Sequence, residues 1–367
     1  MKLIQTKRET LLKPLQAVTG IVERRHTLPI LSNVLLEFKQ EKLSLVATDL
    51  EIQVSTISEA IKAKDYSVTV SAKKLLDILR ALPEEQAISL ESQDSRLKVT
   101  AGKSRFNLQT LPAEDFPRLA ETDSAGTKLR VKQRDLKKLF LLVQYSMAQQ
   151  DIRYYLNGML LLIDGSVLTA VATDGHRLSL ASLTLNQAYD RTEVILPRKA
   201  VLEIIKLLSD EEQDVEIDIQ KNQIRVEKEG ISLVSKLVDG KFPDYKRVVP
   251  TNYQKSFTID RALLLQSLQR AAILSNEKFR GVHWVLTANT LTVVCNNSEQ
   301  EEAQEELAIE YNGEALDIGF NITYLLDALT NIESQTIICS FGDANSSTLI
   351  TVPGSQDFKY VVMPMRI

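Results

Sequence analysis

The feature that most constrains the fold of this chain is a set of segments that recurs three times. Each copy begins with an apolar pattern of helical period that leads through a polar loop into a strand, starting near Thr10, Arg134 and Arg261. Two strands around a polar turn, a second helical stretch and a closing strand follow in the same order. Such a repeat indicates one folding unit used three times.

The spacing of the copies supports this interpretation. Asp49 and Asp174 occupy the same turn 125 residues apart, and Asn297 follows Asp174 after 123 residues. Four kinds of element in one order with a near-constant period predict an α+β fold, with two helices and about eight strands per copy. We expect domains at residues 1–122, 128–250 and 251–367.

Composition excludes several classes of protein. The 367 residues are 44% hydrophobic and 25% charged, which is typical of globular chains with two or three domains. The N-terminus is charged from Lys2 onward, and no apolar run reaches the roughly 18 residues of a membrane span, so we expect a cytoplasmic protein that does not interact with membranes. Cys295 and Cys339 cannot form a disulfide framework or a four-ligand zinc site, and we expect no metal or cofactor.

Charge is distributed unevenly along the chain. The predicted helical windows hold 19 basic and 9 acidic residues, whereas the whole chain has a net charge of −4, so the remainder carries −14. These windows are 7–25, 71–82, 132–148, 197–208, 260–280 and 322–333. Basic helices on acidic strands fit a helical layer that faces phosphates, although a solvated helix face is the alternative for any single helix. The sixth window, with no basic residue, does not follow the pattern.

Residues 173–178, TDGHRL, place Asp174, His176 and Arg177 within four positions. The equivalent turns read TDLEIQ and NNSEQE, so the histidine and arginine do not recur. Asp bonding to nearby backbone amides and Gly175 with positive φ explain a turn without any catalysis. No nucleophile or metal motif lies nearby, and we therefore predict a turn and not an active site.

Seven segments resemble the bacterial DNA sliding clamps, the β subunits of DNA polymerase III. The segments that carry this resemblance are TLPILSN (27–33), FNLQTLPAEDFPRL (106–119), SMAQQDIRYYLNGM (146–159), TDGHRL (173–178), SKLVDGKFPDYKRVVP (235–250), AAILSNEKFRGV (271–282) and YVVMPMRI (360–367). The resemblance covers the whole chain. It implies three clamp domains per chain and a head-to-tail homodimer that forms a six-domain ring, with helices lining the hole and antiparallel sheets outside.

The resemblance implies a topological function without catalysis. Duplex DNA would pass through the ring, and the replicative polymerase, other polymerases and repair proteins would be tethered to it through short linear motifs. A separate ATP-driven clamp loader would open the ring, since the chain has no GxxxxGK phosphate loop. The expected location is the nucleoid-associated cytoplasm.

Weak, non-specific contacts with phosphates would suit sliding. The resemblance implies that the DNA-contacting residues are Arg25, Lys73, Gln150, Tyr154, Tyr155, Arg198 and Lys199. Arg24 competes with Arg25, but the distance to Thr27 along the chain favours Arg25. Tyr154 and Tyr155 could stack on unpaired bases or simply pack at a strand start.

The resemblance also gives TDGHRL a role as one wall of a shallow apolar cleft for partner peptides, between the second and third domains. The matching positions are Leu156, Thr173, Gly175, His176, Arg177, Leu178, Pro243, Arg247, Val248, Asn321, Tyr324, Ser347, Val361, Val362, Met363, Pro364, Met365 and Arg366. A Met-Pro-Met tail is unusual at a free terminus, and methionine suits surfaces that accept varied ligands. The alternative is that VVMP is only the last strand of the third repeat.

The expected dimer contact joins the first domain of one chain to the third domain of its partner. The first domain would supply Arg96, Lys103, Arg105, Phe106 and Leu108, and the third would supply Ile273, Leu274, Glu299, Glu301, Glu302 and Glu305. Apolar residues flanked by opposite charges suit a head-to-tail contact.

Two other classes of function stay open from the sequence. A peptide-binding scaffold that never encircles DNA would have repeats and a cleft, but it would leave the basic helices unexplained. An enzyme would use Asp174 and His176.

Overall fold

A computed structural model describes residues 1–22, 28–58, 65–120 and 126–366. The described part contains six α-helices: α1 (Arg8–Thr19), α2 (Ala72–Ala81), α3 (Gln133–Leu141), α4 (Arg198–Leu207), α5 (Arg261–Ala271) and α6 (Ile322–Asn331). It also contains twenty-two strands: β1 (Lys2–Lys7), β2 (Asn33–Lys39), β3 (Lys42–Thr48), β4 (Ile52–Ser58), β5 (Tyr66–Ser71), β6 (Ala87–Gln93), β7 (Arg96–Ala101), β8 (Ser104–Leu111), β9 (Thr127–Lys132), β10 (Gly158–Thr173), β11 (Arg177–Pro197), β12 (Asp214–Ile219), β13 (Gln223–Lys228), β14 (Ile231–Lys236), β15 (Lys255–Asp260), β16 (Gly281–Thr287), β17 (Thr290–Asn296), β18 (Glu302–Ala308), β19 (Leu316–Asn321), β20 (Thr336–Phe341), β21 (Thr348–Thr351) and β22 (Phe358–Val362).

The elements repeat three times in one order, which confirms the predicted α+β repeat. The first and third repeats each show two helices and eight strands in the described residues. The second shows six strands because β10 and β11 are long, and irregular pairing around Gly165 divides each of them into two parts. Its architecture is therefore the same as that of the other two repeats.

Short polar side chains start several of the helices directly after a strand. The Ser71 hydroxyl accepts from the Lys74 amide, and the Asp260 carboxylate accepts from the Leu263 amide. The Asn321 side chain accepts from the Thr323 amide in the same way. These caps satisfy amides that have no partner within the first helical turn.

The helical windows predicted from the sequence are too long. Helix α3 ends at Leu141 and is followed by a 3₁₀ turn at Gln144–Ser146, and α5 ends at Ala271 before another at Ala272–Leu274. The apolar spacing continues past both ends because Tyr145 and Met147 are buried in non-helical backbone. Residues 23–25 of the first window lie outside the described residues.

Strand pairing crosses the boundaries between repeats. Strands β9, β12, β13 and β14 of the second repeat join β4, β3, β2 and β5 of the first through the β4–β14 pair. Strands β15, β20, β21 and β22 of the third repeat join β11 and β10 of the second through the β11–β22 pair. Each pair of consecutive repeats thus shares one antiparallel sheet.

Compact packing follows the shared sheets and not the repeats. One unit comprises Met1–Arg134 with Leu202–Leu237, and the other comprises Asp135–Val201 with Val238–Ile367. The second unit has an aromatic core in which Trp284 is fully buried and contacts Phe257, Phe320 and Phe341.

In the described residues, no helix is long and apolar enough to cross a bilayer.

In the described residues, two four-stranded sets have an outer strand, β8 or β18, that does not pair with a strand of another repeat. The set β1-β6-β7-β8 occupies the position that β9-β12-β13-β14 has in the next repeat, and it meets the rest of its sheet only at Thr110 and Leu111 of β8. The set β18-β17-β16-β19 corresponds to β4-β3-β2-β5 and forms a separate sheet. Within the described part of the chain, β18 pairs only with β17, so its second edge is open.

Candidate functional site

The TDGHRL segment forms a tight turn between β10 and β11. The Asp174 carboxylate accepts from the amides of His176 and Arg177 at 2.9 and 3.0 Å, and Gly175 has a φ of +90°. These contacts confirm the turn predicted from the sequence. Asp49 and Asn297 cap the equivalent turns of the other repeats in the same way.

Arg177 extends from this turn into a nearly closed polar site. Its guanidinium donates to Asp327 at 2.7 Å, to Asp174 at 3.1 Å and to the backbone oxygen of Tyr145 at 2.6 Å. The Tyr324 ring lies 4.3 Å from the guanidinium carbon, and only 9% of the arginine side chain is exposed. Arg177 therefore ties the second repeat to α6 of the third.

Charges and burial in this site shift the pKa values of its groups. Burial opposes the charge of Arg177, but Tyr360 and the carboxylates of Asp327 and Asp174 outweigh it and raise the arginine pKa. Burial also raises the pKa of the Tyr145 and Tyr360 hydroxyls. The site consequently holds a permanent cation beside neutral phenols, which is a framework for fixed geometry and not for proton transfer.

The C-terminal tail is attached beside the turn through its backbone. The Met363 amide donates to the His176 carbonyl at 2.9 Å, and the Met365 amide donates to the Gly319 carbonyl at 2.7 Å. The Tyr360 hydroxyl donates to the Tyr324 carbonyl at 2.8 Å. Val361 and Val362 are buried, whereas Met363 is 47% exposed. The last strand thus packs inward while the residues after it remain at the surface.

An apolar cluster lies under the turn and the tail. Its buried members are Leu160, Val171, Leu178, Ile195, Phe242 and Val361, with Tyr155, Leu180, Val238, Tyr245, Val249 and Leu349 packed against them. Pro243 and Val248 stay exposed near this cluster in the sequence, between and beside its members. Buried apolar side chains with exposed apolar neighbours are the usual components of a peptide-binding surface.

Most residues predicted for the cleft come together in this region. Thr173, Gly175, His176 and Arg177 form the turn, Leu178 and Val361 belong to the buried apolar cluster, and Tyr324 covers the guanidinium of Arg177. Val362 pairs with Thr348, which places Ser347 beside the strand end. Leu156 is buried next to Tyr155, Arg247 pairs with Asp244, and Asn321 caps α6. Pro364 and Arg366 belong to the tail on either side of Met365.

Sequence reasoning missed the residues that surround Arg177. Asp327, Tyr145 and Tyr360 were not predicted as part of the site, and neither was Arg153, whose guanidinium lies against Gly175. One signal was available, because Asp327 is the only charged residue of helix α6. The tyrosines gave none, since buried aromatic residues have the same local pattern wherever they pack.

The predicted DNA-contacting residues fall into different environments. Lys73 and Gln150 are exposed, Gln150 has a φ of +56°, and 57% of Tyr154 is exposed. Tyr155 packs instead against the apolar cluster, and Lys199 is half-buried. Arg25 lies outside the described residues.

Arg198 is the predicted DNA contact with an internal role in the structure. Its guanidinium donates to the carbonyls of Met147 and Gln144 at 3.2 and 3.5 Å. Burial, together with the nearby charge of Arg177, lowers the pKa of Arg198. The side chain therefore holds the 3₁₀ turn that follows α3.

The helices as observed keep the excess of positive charge. They contain thirteen Lys and Arg residues against five Asp and Glu residues. Helix α6 remains the exception, and its neighbourhood explains its acidic side chain: Asp327 pairs with Arg177, and Glu333 just beyond the helix pairs with Lys138 at 2.6 Å. The acidic groups near α6 thus serve contacts between the second and third repeats.

The residues predicted for the dimer contact lie on β7, β8 and β18 and in the turns next to them. Arg96, Lys103 and Arg105 are exposed on and beside β7 and β8, with Phe106 half-buried and Leu108 buried. Ile273 is 77% exposed and Leu274 is half-buried. Glu299, Glu301 and Glu302 are exposed, whereas Glu305 already pairs with Arg270 of its own chain, and this pairing lowers the Glu305 pKa.

Comparison with known proteins gives matches over the whole chain. Three domain models of the DNA polymerase III beta subunit match: the N-terminal domain at residues 1–120, the central domain at 130–244 and the C-terminal domain at 246–366. The chain is 47% identical to the beta sliding clamp of Pseudomonas putida and 44% identical to that of Escherichia coli K12, over 98% of this chain and 99% of each relative.

Solved structures agree with these matches. A Pseudomonas aeruginosa sliding clamp bound to griselimycin superposes with a TM-score of 0.94 at 46% identity, and both chains are covered completely. A Caulobacter crescentus beta sliding clamp, with PEG bound to its putative beta-motif tethering region, gives a TM-score of 0.93 at 36% identity, again over both whole chains.

Replacing Arg177 with methionine tests the network around the turn. We expect a loss of about 3 kcal/mol in the free energy of unfolding, because removing one partner of a buried ion pair leaves carboxylates without compensation. Urea denaturation followed by circular dichroism and by fluorescence of the single Trp284 measures this loss.

Arg191→Met is the matched control, since Arg191 also pairs with two carboxylates but is 55% exposed. Its loss should stay below about 1 kcal/mol. Equal losses for the two variants would mean that Arg177 has no special role in the site.

Proposed function

Because this chain belongs to the family of DNA polymerase III beta subunits, the bacterial sliding clamps, we propose that two copies close into a ring around duplex DNA. The chain is a non-catalytic clamp for the replicative polymerase. The ring stays on the DNA because it encircles the duplex and not because it recognises a base sequence. A polymerase bound to the ring therefore rebinds its template faster than it diffuses away.

The observation that carries this proposal is that the four-stranded sets β1-β6-β7-β8 and β18-β17-β16-β19 each end in a strand with an unpaired edge. The fourth strand of one repeat joins the last strand of the next at β4–β14 and at β11–β22. The same rule leaves β18 of the third repeat to pair with β8 of a first repeat. In the described residues, one edge of β18 is unpaired, and β8 is unpaired on one side except at Thr110 and Leu111. Because an open edge exposes unpaired backbone groups, a second copy joined head to tail satisfies both ends of each chain.

Equivalent positions in the three repeats also give the register of the proposed β8–β18 pair. Leu233 lies opposite Val54, and Tyr360 lies opposite Ser179. The matching positions are Phe106 on β8 and Ala303 on β18. This register puts Phe106 and Ala303 on the same side of the sheet, the side that packs against the helices. A shift of one residue would place them on opposite sides.

The register selects charge pairs for the outer face. Arg105 would lie opposite Gln304, with Glu302 and Glu306 diagonally on either side. Glu305 would point to the helix side, where it already pairs with Arg270. The proposed contact therefore draws on Glu302 and Glu306 for attraction, with Phe106 and the exposed Ile273 contributing apolar area.

A disulfide tests the register. The double variant Arg105→Cys with Gln304→Cys should form a covalent dimer under mild oxidation, because directly opposed side chains have Cβ atoms roughly 4.5–5.5 Å apart. The native Cys295 and Cys339 are buried and should not interfere. Non-reducing electrophoresis measures the product.

The control is Arg105→Cys with Ala303→Cys, in which the second thiol faces the opposite side of the sheet. It should crosslink at least tenfold more slowly, by order of magnitude, because alternate residues of a strand point to opposite faces. Faster crosslinking of the control than of the test pair would exclude the proposed register.

Contacts with DNA are proposed to be weak and electrostatic. The basic helices α1 to α5 provide a positive lining, and Lys73, Gln150 and Tyr154 have exposed side chains suited to contact the duplex. Arg25, Tyr155, Arg198 and Lys199 complete the proposed set, with Arg198 limited by its internal hydrogen bonds. Contacts with phosphates contribute about equally to the binding of every DNA sequence. They therefore permit sliding.

Topological linkage gives a direct prediction. After loading with a clamp loader and ATP, the protein should co-elute with a nicked circular plasmid, and a single restriction cut should release more than about 90% of it because weak phosphate contacts alone do not hold it. Gel filtration with labelled protein measures retention.

Linear DNA with both ends blocked by biotin–streptavidin is the control, and it should retain the protein as the circle does. This experiment also separates the clamp from a scaffold that only binds peptides, since a scaffold would be retained on none of the three DNAs. Retention on unblocked linear DNA equal to that on circles would contradict linkage.

The cleft is proposed to receive short linear motifs of the replicative polymerase, the loader, other polymerases and repair proteins. Support comes from its apolar floor, the rigid Arg177 site and the flexible methionine at its rim. Methionine adapts to different side chains, which suits a site shared by several partners.

We further propose domain limits at residues 1–122, 128–250 and 251–367. We also propose a cytoplasmic, nucleoid-associated location, because DNA is the proposed partner.

Deleting Met363 to Ile367 tests the role of the tail. Binding of a peptide from the replicative polymerase should weaken at least about 100-fold, since truncating a central anchor typically costs 2 kcal/mol or more and several anchors are lost. Strand β22 ends at Val362 and stays intact. Fluorescence anisotropy measures the affinity.

Sedimentation of the same variant is the control, and the dimer should persist because the tail lies on neither open edge. A monomeric variant would show that the tail belongs to the dimer contact, and unchanged peptide affinity would show that it is no part of the cleft.

A further inference from the structure

A cavity lies on the third repeat beside Met365 and Arg366 of the C-terminal tail. Its volume is about 450 Å³. Phe279 and Met365 provide its apolar surface, and Asn276, His283, Asn297 and Arg366 contribute polar groups. None of the segments except the tail was predicted to bind peptides.

The Phe279 ring is presented to solvent by a rigid loop. The Asn276 side-chain oxygen accepts from the amides of Lys278 and Phe279, both at 3.0 Å, and the Arg280 amide donates to the Asn276 carbonyl at 2.8 Å. The ring nevertheless remains 59% exposed. A large aromatic side chain held out of the core in a cavity is typical of a contact surface.

The tail connects this cavity to the cleft. The Met363 amide bonds to His176 in the cleft, and the Met365 amide bonds to Gly319 beside the cavity. Two residues of extended chain cover roughly 7 Å. A peptide seated in the cleft can therefore reach the cavity within about two or three further residues.

The polar groups around the cavity favour a neutral ligand that donates a hydrogen bond. His283 Nδ1 lies 2.9 Å from Asp317 Oδ1, and Asn297 Nδ2 donates to the Glu301 carboxylate at 2.6 Å. Arg366 is the only Lys, Arg, Asp or Glu among the described lining residues, whereas Asn276, Asn296, Asn297 and Ser298 are neutral, so the lining favours a neutral ligand. The Ser298 hydroxyl in the lining can accept a hydrogen bond from such a ligand.

We infer that this cavity extends the docking cleft and binds a tyrosine or tryptophan side chain that flanks the partner's motif. The inference rests on the proposed peptide cleft. Offset or edge-on stacking on Phe279 and contact with the Met365 thioether supply the attraction. The phenol hydroxyl or indole N–H donates to the polar rim.

Extended peptides test this inference. A fluorescein-labelled docking peptide of the replicative polymerase is compared with versions carrying Gly-Gly-Tyr or Gly-Gly-Ala at either end. Tyrosine at one of the two ends should tighten binding about fivefold to tenfold over alanine at that end, as expected for one aromatic pair. In Phe279→Ala this gain should disappear, while the affinity for the unextended peptide stays within about twofold of wild type, since Phe279 lies outside the cleft.

Leu263→Ala is the matched control, because Leu263 is also an exposed apolar residue of the third repeat, on α5. It should keep the full tyrosine gain. Absence of a gain at both ends, with normal binding of the unextended peptide, would overturn the inference and leave the cleft in place. Failure of the unextended peptide to bind wild type would remove the cleft and the inference together.

Methionine methyl groups give a second measurement on the intact protein. The chain has five methionines, of which Met147 and Met159 are buried. With ¹³C-methyl methionine, millimolar N-acetyltryptophanamide should shift the Met365 signal and leave those of Met147 and Met159 unchanged. A Met365 signal that does not move, or moves equally in Phe279→Ala, would count against the cavity.

Discussion

Backbone pairing between consecutive repeats is the interaction on which the rest of this structure depends. The β4–β14 and β11–β22 pairs turn three similar units into continuous antiparallel sheets. A rule that joins each repeat to the next leaves one unsatisfied edge at each end of the chain. Because exposed strand edges attract other strands, the chain needs a defined partner, and the partner that fits both edges is a second copy.

The division of charge follows from the same architecture. The six helices carry an excess of positive charge although the chain is negative overall. A lining of this kind attracts phosphates without reading bases, which is compatible with movement along DNA. Helix α6 departs from the pattern because Asp327 is needed to hold Arg177.

The proposed cleft would be a site built on a junction between repeats. The turn of the second repeat and the last strand of the third meet where β11 pairs with β22, and Arg177 joins the turn to Asp327 of α6 and to the Tyr145 carbonyl. The framework is rigid, whereas the exposed Met363 at its rim can adjust. This combination fits a surface that must position several partners in one way while tolerating differences in their sequences.

Periodicity and spacing in the sequence alone determined the threefold repeat, the α+β class, the TDGHRL turn and the excess of basic residues in the helices, because each of these is a local pattern. The resemblance of short motifs further indicated the cleft and its tail. Tertiary structure alone decided where α3 and α5 end, that Arg198 turns inward and that Asp327, Tyr145 and Tyr360 enclose Arg177. It also decided which strand edges stay open. These features depend on contacts between residues far apart in the chain, and a buried side chain has the same local pattern whichever distant partner it meets.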